Sequence, residues 1–240
     1  MGPMFSLSVR QLAGRWRITL ILLLAVLPVA LAAVVAALSE GPRAQEGVID
    51  VFFDGMMIGA VMPIVMMALA TAAFGNELED RTLNYLVLKP LARWLIVLPK
   101  LLASVALGAP VVIISGAVVA FLLLDGDVRA SIAVAVALLA GVVAYASIFT
   151  WAGLVTKSAL PIAVMYVFVW EGLISTFLGG VRYLSVRGYT LAIMHGIDGD
   201  SFDEFDERVI EFPSAVIGAV AATVVFFGLA VYRLRRMDVP

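Results

Sequence analysis

Glu171, in the run Val169-Trp170-Glu171-Gly172, has the clearest capacity for chemistry, because it is the only ionisable side chain well inside a long apolar stretch. A carboxylate at mid-membrane costs about 2.5 to 3.5 kcal/mol on insertion scales, so it must face protein or a water-filled path. Two roles fit: the wall or gate of a translocation path, or a structural hydrogen bond from the neutral acid to a neighbouring helix. Met56, Met57, Met62, Met66 and Met67 crowd another stretch and could offer thioethers to copper(I). Methionine is also a flexible apolar packer, and neither a cysteine nor a nearby histidine supports a metal path. Asp198-Gly199-Asp200 opens like a calcium loop, but Phe202 and Asp203 stand where that pattern needs its third ligand and its glycine.

Enzymatic chemistry finds little footing. His195 is the only histidine, and metalloprotease sites of the H-E-x-x-H type need two. Glu77-x-x-x-Arg81 likewise lacks the two histidines that carboxylate-containing prenyl-protease sites use. With no cysteine there is no thiolate nucleophile, no disulfide framework and no Cys-based metal site. No G-x-x-x-x-G-K-[ST] run occurs, so the chain cannot hold ATP through a P-loop. No catalytic, cofactor-binding or metal site is therefore expected. A net charge of -2 and a pI near 5.4 exclude a nucleic-acid partner on electrostatic grounds.

What must position these residues follows from composition. The 240-residue chain is 63% hydrophobic and 14% charged, with a mean hydropathy of +1.07; soluble domains run at about 45 to 50% and about 25%. One core cannot hide that excess, so the expected class is an all-α integral membrane protein forming a single transmembrane domain over 1–240. A helix needs about 20 apolar residues to cross a hydrocarbon core about 30 Å thick, where lipid offers backbone groups no partners. Six stretches qualify: 18–38, 51–74, 101–124, 132–155, 159–178 and 214–232. The first follows Arg10, Arg15 and Arg17 but outruns the about 7 to 15 apolar residues of a secretory signal, so it reads as a retained anchor.

Six is even, so both termini share one side. Eleven of the 16 Lys and Arg residues fall in the N-terminus, 75–100, 156–158 and the C-tail, which predicts cytoplasmic termini. Trp16, Trp94, Trp151 and Tyr232 sit near the inner boundaries, where amphipathic rings belong. Ahead of the first span, Phe5, Val9, Leu12 and Trp16 recur at helical spacing, predicting an interfacial amphipathic helix. Pro28, Pro63, Pro110 and Pro161 lie within spans and could kink or end them. Outside, Phe202, Phe205, Val209 and Phe212 keep a helical spacing through an acidic run, predicting short outer helices before the last span.

The long cytoplasmic connection 75–100 opens as a charged turn and continues as a short amphipathic helix, with Leu78, Thr82, Tyr85 and Leu86 on one stripe and Pro90 as its stop. It is either a solvated hairpin or a docking element. Here the sequence resembles the membrane permease subunits of type 2 ATP-binding-cassette (ABC) exporters, which carry E-x-E-x-x-T-L-x-x-L, then P-x-x-R and a downstream Lys. Glu77, Glu79, Thr82, Leu83, Leu86, Pro90, Arg93 and Lys100 match; Arg81 departs, standing where many members have Gly. The six spans, the amphipathic first helix and the long outer segment extend the resemblance over nearly the whole chain.

The resemblance implies a permease subunit of an exporter or flippase, in the plasma or inner membrane of a prokaryote. Glu77, Glu79, Arg81, Thr82, Leu83, Leu86, Pro90 and Arg93 would form a coupling helix. It would dock on a separate cytoplasmic ATP-binding-cassette subunit, present in two copies and carrying ATP and Mg. A second permease subunit, identical or homologous, would complete the unit, and Glu171 would line the translocation path or its gate. The competing expectation is an ion-coupled secondary transporter in which Glu171 carries a proton, which leaves 75–100 unexplained.

Overall fold

The computed structural model describes residues 2–38, 47–79, 92–156, 159–174 and 179–237. Among them every regular element is helical. Helix α1 (Gly2–Leu12) is followed by α2 (Arg15–Leu38) and α3 (Asp50–Gly75), which continues as helix to Glu79. Next come α4 (Trp94–Leu123), α5 (Val128–Val155) and α6 (Ala159–Met165). The segment 179–211, called the outer segment after the expected topology, carries α7 (Val186–Ile197) between two 3-10 turns, Gly179–Leu184 and Asp203–Arg208, and α8 (Phe212–Arg235) follows.

Among the described residues five helices, α2, α3, α4, α5 and α8, are long and apolar enough to cross a membrane. A sixth apolar helix, Ala159–Leu173, is shorter, and the last part of the expected span 159–178 lies outside the described residues. The most apolar windows of α3 and α5 are 72% and 67% buried, against 22% and 17% for α2 and α8. So α3 and α5 form the core, while α2 and α8 present apolar flanks to the bilayer. The helix α5 packs against α3, α4, α6, α7 and α8.

Small residues allow that closeness. In lipid there is no aqueous hydrophobic drive between helices, so packing relies on close backbone approach. A Cβ at Gly153 would lie 2.6 Å from the Thr71 carbonyl oxygen, which makes the α3–α5 crossing a backbone contact. Gly141 accepts the Met62 sulfur and the Thr190 hydroxyl, whose atoms would stand 2.6 and 2.5 Å from a Cβ there. Met57 and Met66 reach Gly116 and Gly108 on α4 in the same way. Met57, Met62, Met66 and Met67 are all buried in the helical core, so the methionine cluster is packing material.

Helix α1 buries Ser8 and Leu12 and packs Met4, Phe5 and Val9 against α4, leaving Arg10 exposed. The expected stripe therefore holds for Phe5, Val9 and Leu12. Trp16 departs from it: the helix breaks at Ala13 and Gly14, and Trp16 is exposed in the first turn of α2. Helix α4 begins at Trp94 rather than at Leu101, because Lys100 is not a surface charge ending the span but a buried, paired one. Pro28, Pro99 and Pro110 lie inside helices, and Pro63 lies inside α3 just past the point where its π-helical part gives way to Met62–Ala70. The α4–α5 turn places Asp125 and Gly126 at positive φ, and Asp127 then caps α5 by accepting from the Arg129 and Ala130 amides at 2.7 and 3.3 Å.

Candidate functional site

Two acidic residues at the end of the bundle beside the segment 179–211 stand on unusual backbone. The first twelve residues of α3, Asp50–Val61, are π-helical, as is Tyr166–Ile174, which continues α6. Such i→i+5 runs are rare and concentrate at functional places. In an α-helix, positions five apart point to different faces; in a π-helix they stack. That register lets the Tyr166 hydroxyl donate to Glu171 Oε1 at 2.9 Å from five residues away.

The rest of the Glu171 shell comes from the start of α7. Ser185 Oγ donates to Oε2 at 2.5 Å, the Val186 amide to Oε1 at 3.0 Å and the Arg187 amide to Oε2 at 3.4 Å. Glu171 is 3% exposed, so these contacts replace water. The donors meet a carboxyl acting as acceptor, and two of them are the free amides that every helix N-terminus leaves over. Ser185 also accepts from the Gly188 amide at 3.0 Å and so caps α7 itself. The Glu171 carboxyl thus accepts from the Tyr166 and Ser185 hydroxyls and from the Val186 and Arg187 amides.

Arg187 extends this cluster to the second acid. Its Nε donates to Asp54 Oδ1 at 2.5 Å across 133 positions of sequence. The Asp54 hydrogen bond raises the Arg187 pKa above its ordinary value, outweighing desolvation. Gly59, one turn further along the π-run, leaves the Arg187 guanidinium carbon room at 3.8 Å from where a Cβ would stand. The start of α7 therefore joins both π-runs, one through a side chain and one through its backbone.

The outer segment folds over this cluster with an apolar core of its own. Phe202 and Phe205 are fully buried, and Phe202 meets Phe53 edge-on with ring centres 5.4 Å apart. Ionic contacts at the rim join Arg208 to Asp50 at 3.1 Å and Arg129 to Asp198 at 3.8 Å, and His195 Nε2 stands 3.6 Å from Asp206 Oδ1. Among the described residues no group of three acidic or histidine side chains could hold a metal ion.

At the opposite end, Glu77 and Lys100 form a buried ion pair, Nζ to Oε1 at 2.6 Å. Lys100 also donates to the Ala73 carbonyl and lies 4.6 Å from the centre of the Phe74 ring. The pair links the end of α3 to the start of α4, on either side of the connection 80–91. The second Glu77 oxygen is buried with no partner among the described residues. Of the other expected coupling residues, Arg93 is half-buried immediately before α4, and Glu79 ends the helical turn Ala72–Glu79. Arg81, Thr82, Leu83, Leu86 and Pro90 lie outside the described residues.

Asp54, Tyr166, Ser185 and Arg187 were not expected as site residues. Only Ser185 carried a local signal, a serine directly before an apolar helical run. The fold and composition define an all-α, multi-pass membrane protein. Comparison with known proteins takes the assignment no further: no protein-family model matches the sequence, and no curated protein is significantly similar to it.

Proposed function

We propose that this chain is the membrane permease subunit of a type 2 ABC exporter or flippase. Its spans number six, with Ala159–Leu173 within the fifth and both termini on the cytoplasmic side of the cell membrane. Two permease subunits, identical or homologous, work with two copies of a cytoplasmic ATP-binding-cassette subunit that carries ATP and Mg. The chain itself is not an enzyme.

The observation that carries this reading is the Glu77–Lys100 pair. These are the first acid and the downstream lysine of the run that resembles the family, and they meet in a buried bridge rather than lying free on a solvated hairpin. A buried ion pair costs desolvation and is weak support for stability alone; its retention makes sense where geometry must be held. It fixes the two roots of the 80–91 segment, so force on that segment reaches α3 and α4 together. Closure of the ATPases on nucleotide then biases an inward-open to outward-open equilibrium through these helices. Glu171 takes its part at the outer end, where it holds the start of α7.

Affinity purification of the detergent-solubilised chain from its native membrane, followed by mass spectrometry, tests the assignment. The expected result is co-purification of a P-loop ATPase in an amount equal to the permease. Recovery of the chain with no P-loop ATPase would contradict it.

A further inference from the structure

We propose that the N-terminal end of α7 is a two-sided latch: the Asp54–Arg187 ion pair and the Glu171 cap hold the outer cap, 179–211, onto both π-helical runs, and its release is the opening movement of the outer side. The inference rests on geometry at the outer end alone and does not depend on which energy source drives the protein.

Three observations carry it. First, one turn of helix receives two acids from two different helices, Asp54 on the Arg187 side chain and Glu171 on Ser185 Oγ and the Val186 and Arg187 amides. Second, both acids stand on π-helical backbone, and the two runs touch each other. A π-run differs from an α-helix by one residue of register, so it offers a discrete second state into which Asp54 or Glu171 would rotate away from α7. Third, besides the apolar packing of Phe202 on Phe53 and of α7 on α5, the polar fastenings of the cap are rim contacts such as Arg208–Asp50, whose side chains are 46% and 34% exposed and which are weakly held. The latch is the buried polar part of the attachment, and breaking it loosens the cap without unpacking α3 from α5.

Hydrogen exchange on the full-length, purified chain in lipid nanodiscs tests this, read by mass spectrometry over Val186–Ile197 and, as an internal reference, over the α5 core. Asp54→Asn and Arg187→Gln should each speed exchange in Val186–Ile197 by about tenfold to a hundredfold, the factor for losing a hydrogen bond to a charged group, with α5 unchanged. The double variant should exchange no faster than the quicker single one, because the two residues share one contact. Glu171→Gln, which sets an amide donor against a ring of donors, should loosen the same peptide. Overturning results are an unchanged Val186–Ile197 in all three variants, equal acceleration of α5, which means global unfolding, or additive effects of Asp54→Asn and Arg187→Gln. The experiment needs no ATPase partner, so its failure and the failure of the permease assignment are separable.

Discussion

With the topology proposed above, the inner and outer ends of this molecule each bury an acid–base pair, and the two pairs are built for different work. Glu77 and Lys100 are 23 positions apart and join the two roots of one connection. Asp54 and Arg187 are 133 apart and tie the cap to the core. The inner pair is the drier: its side chains are 5% and 10% exposed, against 23% and 13% outside. A dry local pair behaves as a brace, with no cheap way to open, whereas a wetter long-range pair can exchange its partner for water. The contrast predicts that the inner end moves as a block and the outer end opens.

The largest effect is expected at the brace. Lys100→Met leaves Glu77 as an uncompensated buried charge and should lower stability by about 3 to 5 kcal/mol, read as a drop in the thermal transition of the purified chain. Combining it with Glu77→Leu removes both charges and should recover most of that loss. If the double variant is as unstable as the single, the brace reading fails and the site depends on a contact other than the pair.

The helix crossing under both pairs comes next. Gly153→Ala places a methyl group against the Thr71 carbonyl and should cost about 1 to 3 kcal/mol as overpacking. A silent Gly153→Ala would mean that α3 and α5 stand further apart than described. Smallest is the rim: Arg208→Gln removes a half-exposed pair with Asp50 and should change stability by about 0 to 1 kcal/mol, while leaving exchange in Val186–Ile197 near wild type. A large effect there would make the rim, rather than the start of α7, the fastening of the cap.

Apolar run length was enough to find the long helices, because a membrane crossing needs a fixed number of apolar residues whatever they pack against. It could not show which helices lie inside. In α5 the burial follows small residues such as Ala133, Ala137 and Gly141, and hydropathy does not distinguish a small apolar residue that packs from one that faces lipid. Helical phase was legible in α1, where Phe5, Val9 and Leu12 alternate with polar residues, but not in 50–61. There Asp50 and Asp54 are the only charged positions, too few to separate an α from a π register.

The site divides in the same way. Glu171 stood out because a carboxylate in an apolar run is conspicuous, yet its partners did not. Arg187 entered only as one of the basic residues outside the eleven that set orientation, and its distance from Asp54 hid the pairing. Lys100 read as the inner boundary of a span, although a lysine can lie well inside a helix bundle once a carboxylate meets it.

The central claim is that the braced 80–91 segment transmits work from a cytoplasmic ATPase. It is tested most directly by ATP hydrolysis in the purified complex carrying Leu83→Ala together with Leu86→Ala. A few well-buried side chains usually dominate such an interface, so the double variant should insert normally, keep the thermal transition of the wild type, and lose the co-purified ATPase or its stimulation by lipid-embedded permease. Full retention of both the partner and the stimulated hydrolysis would contradict the account.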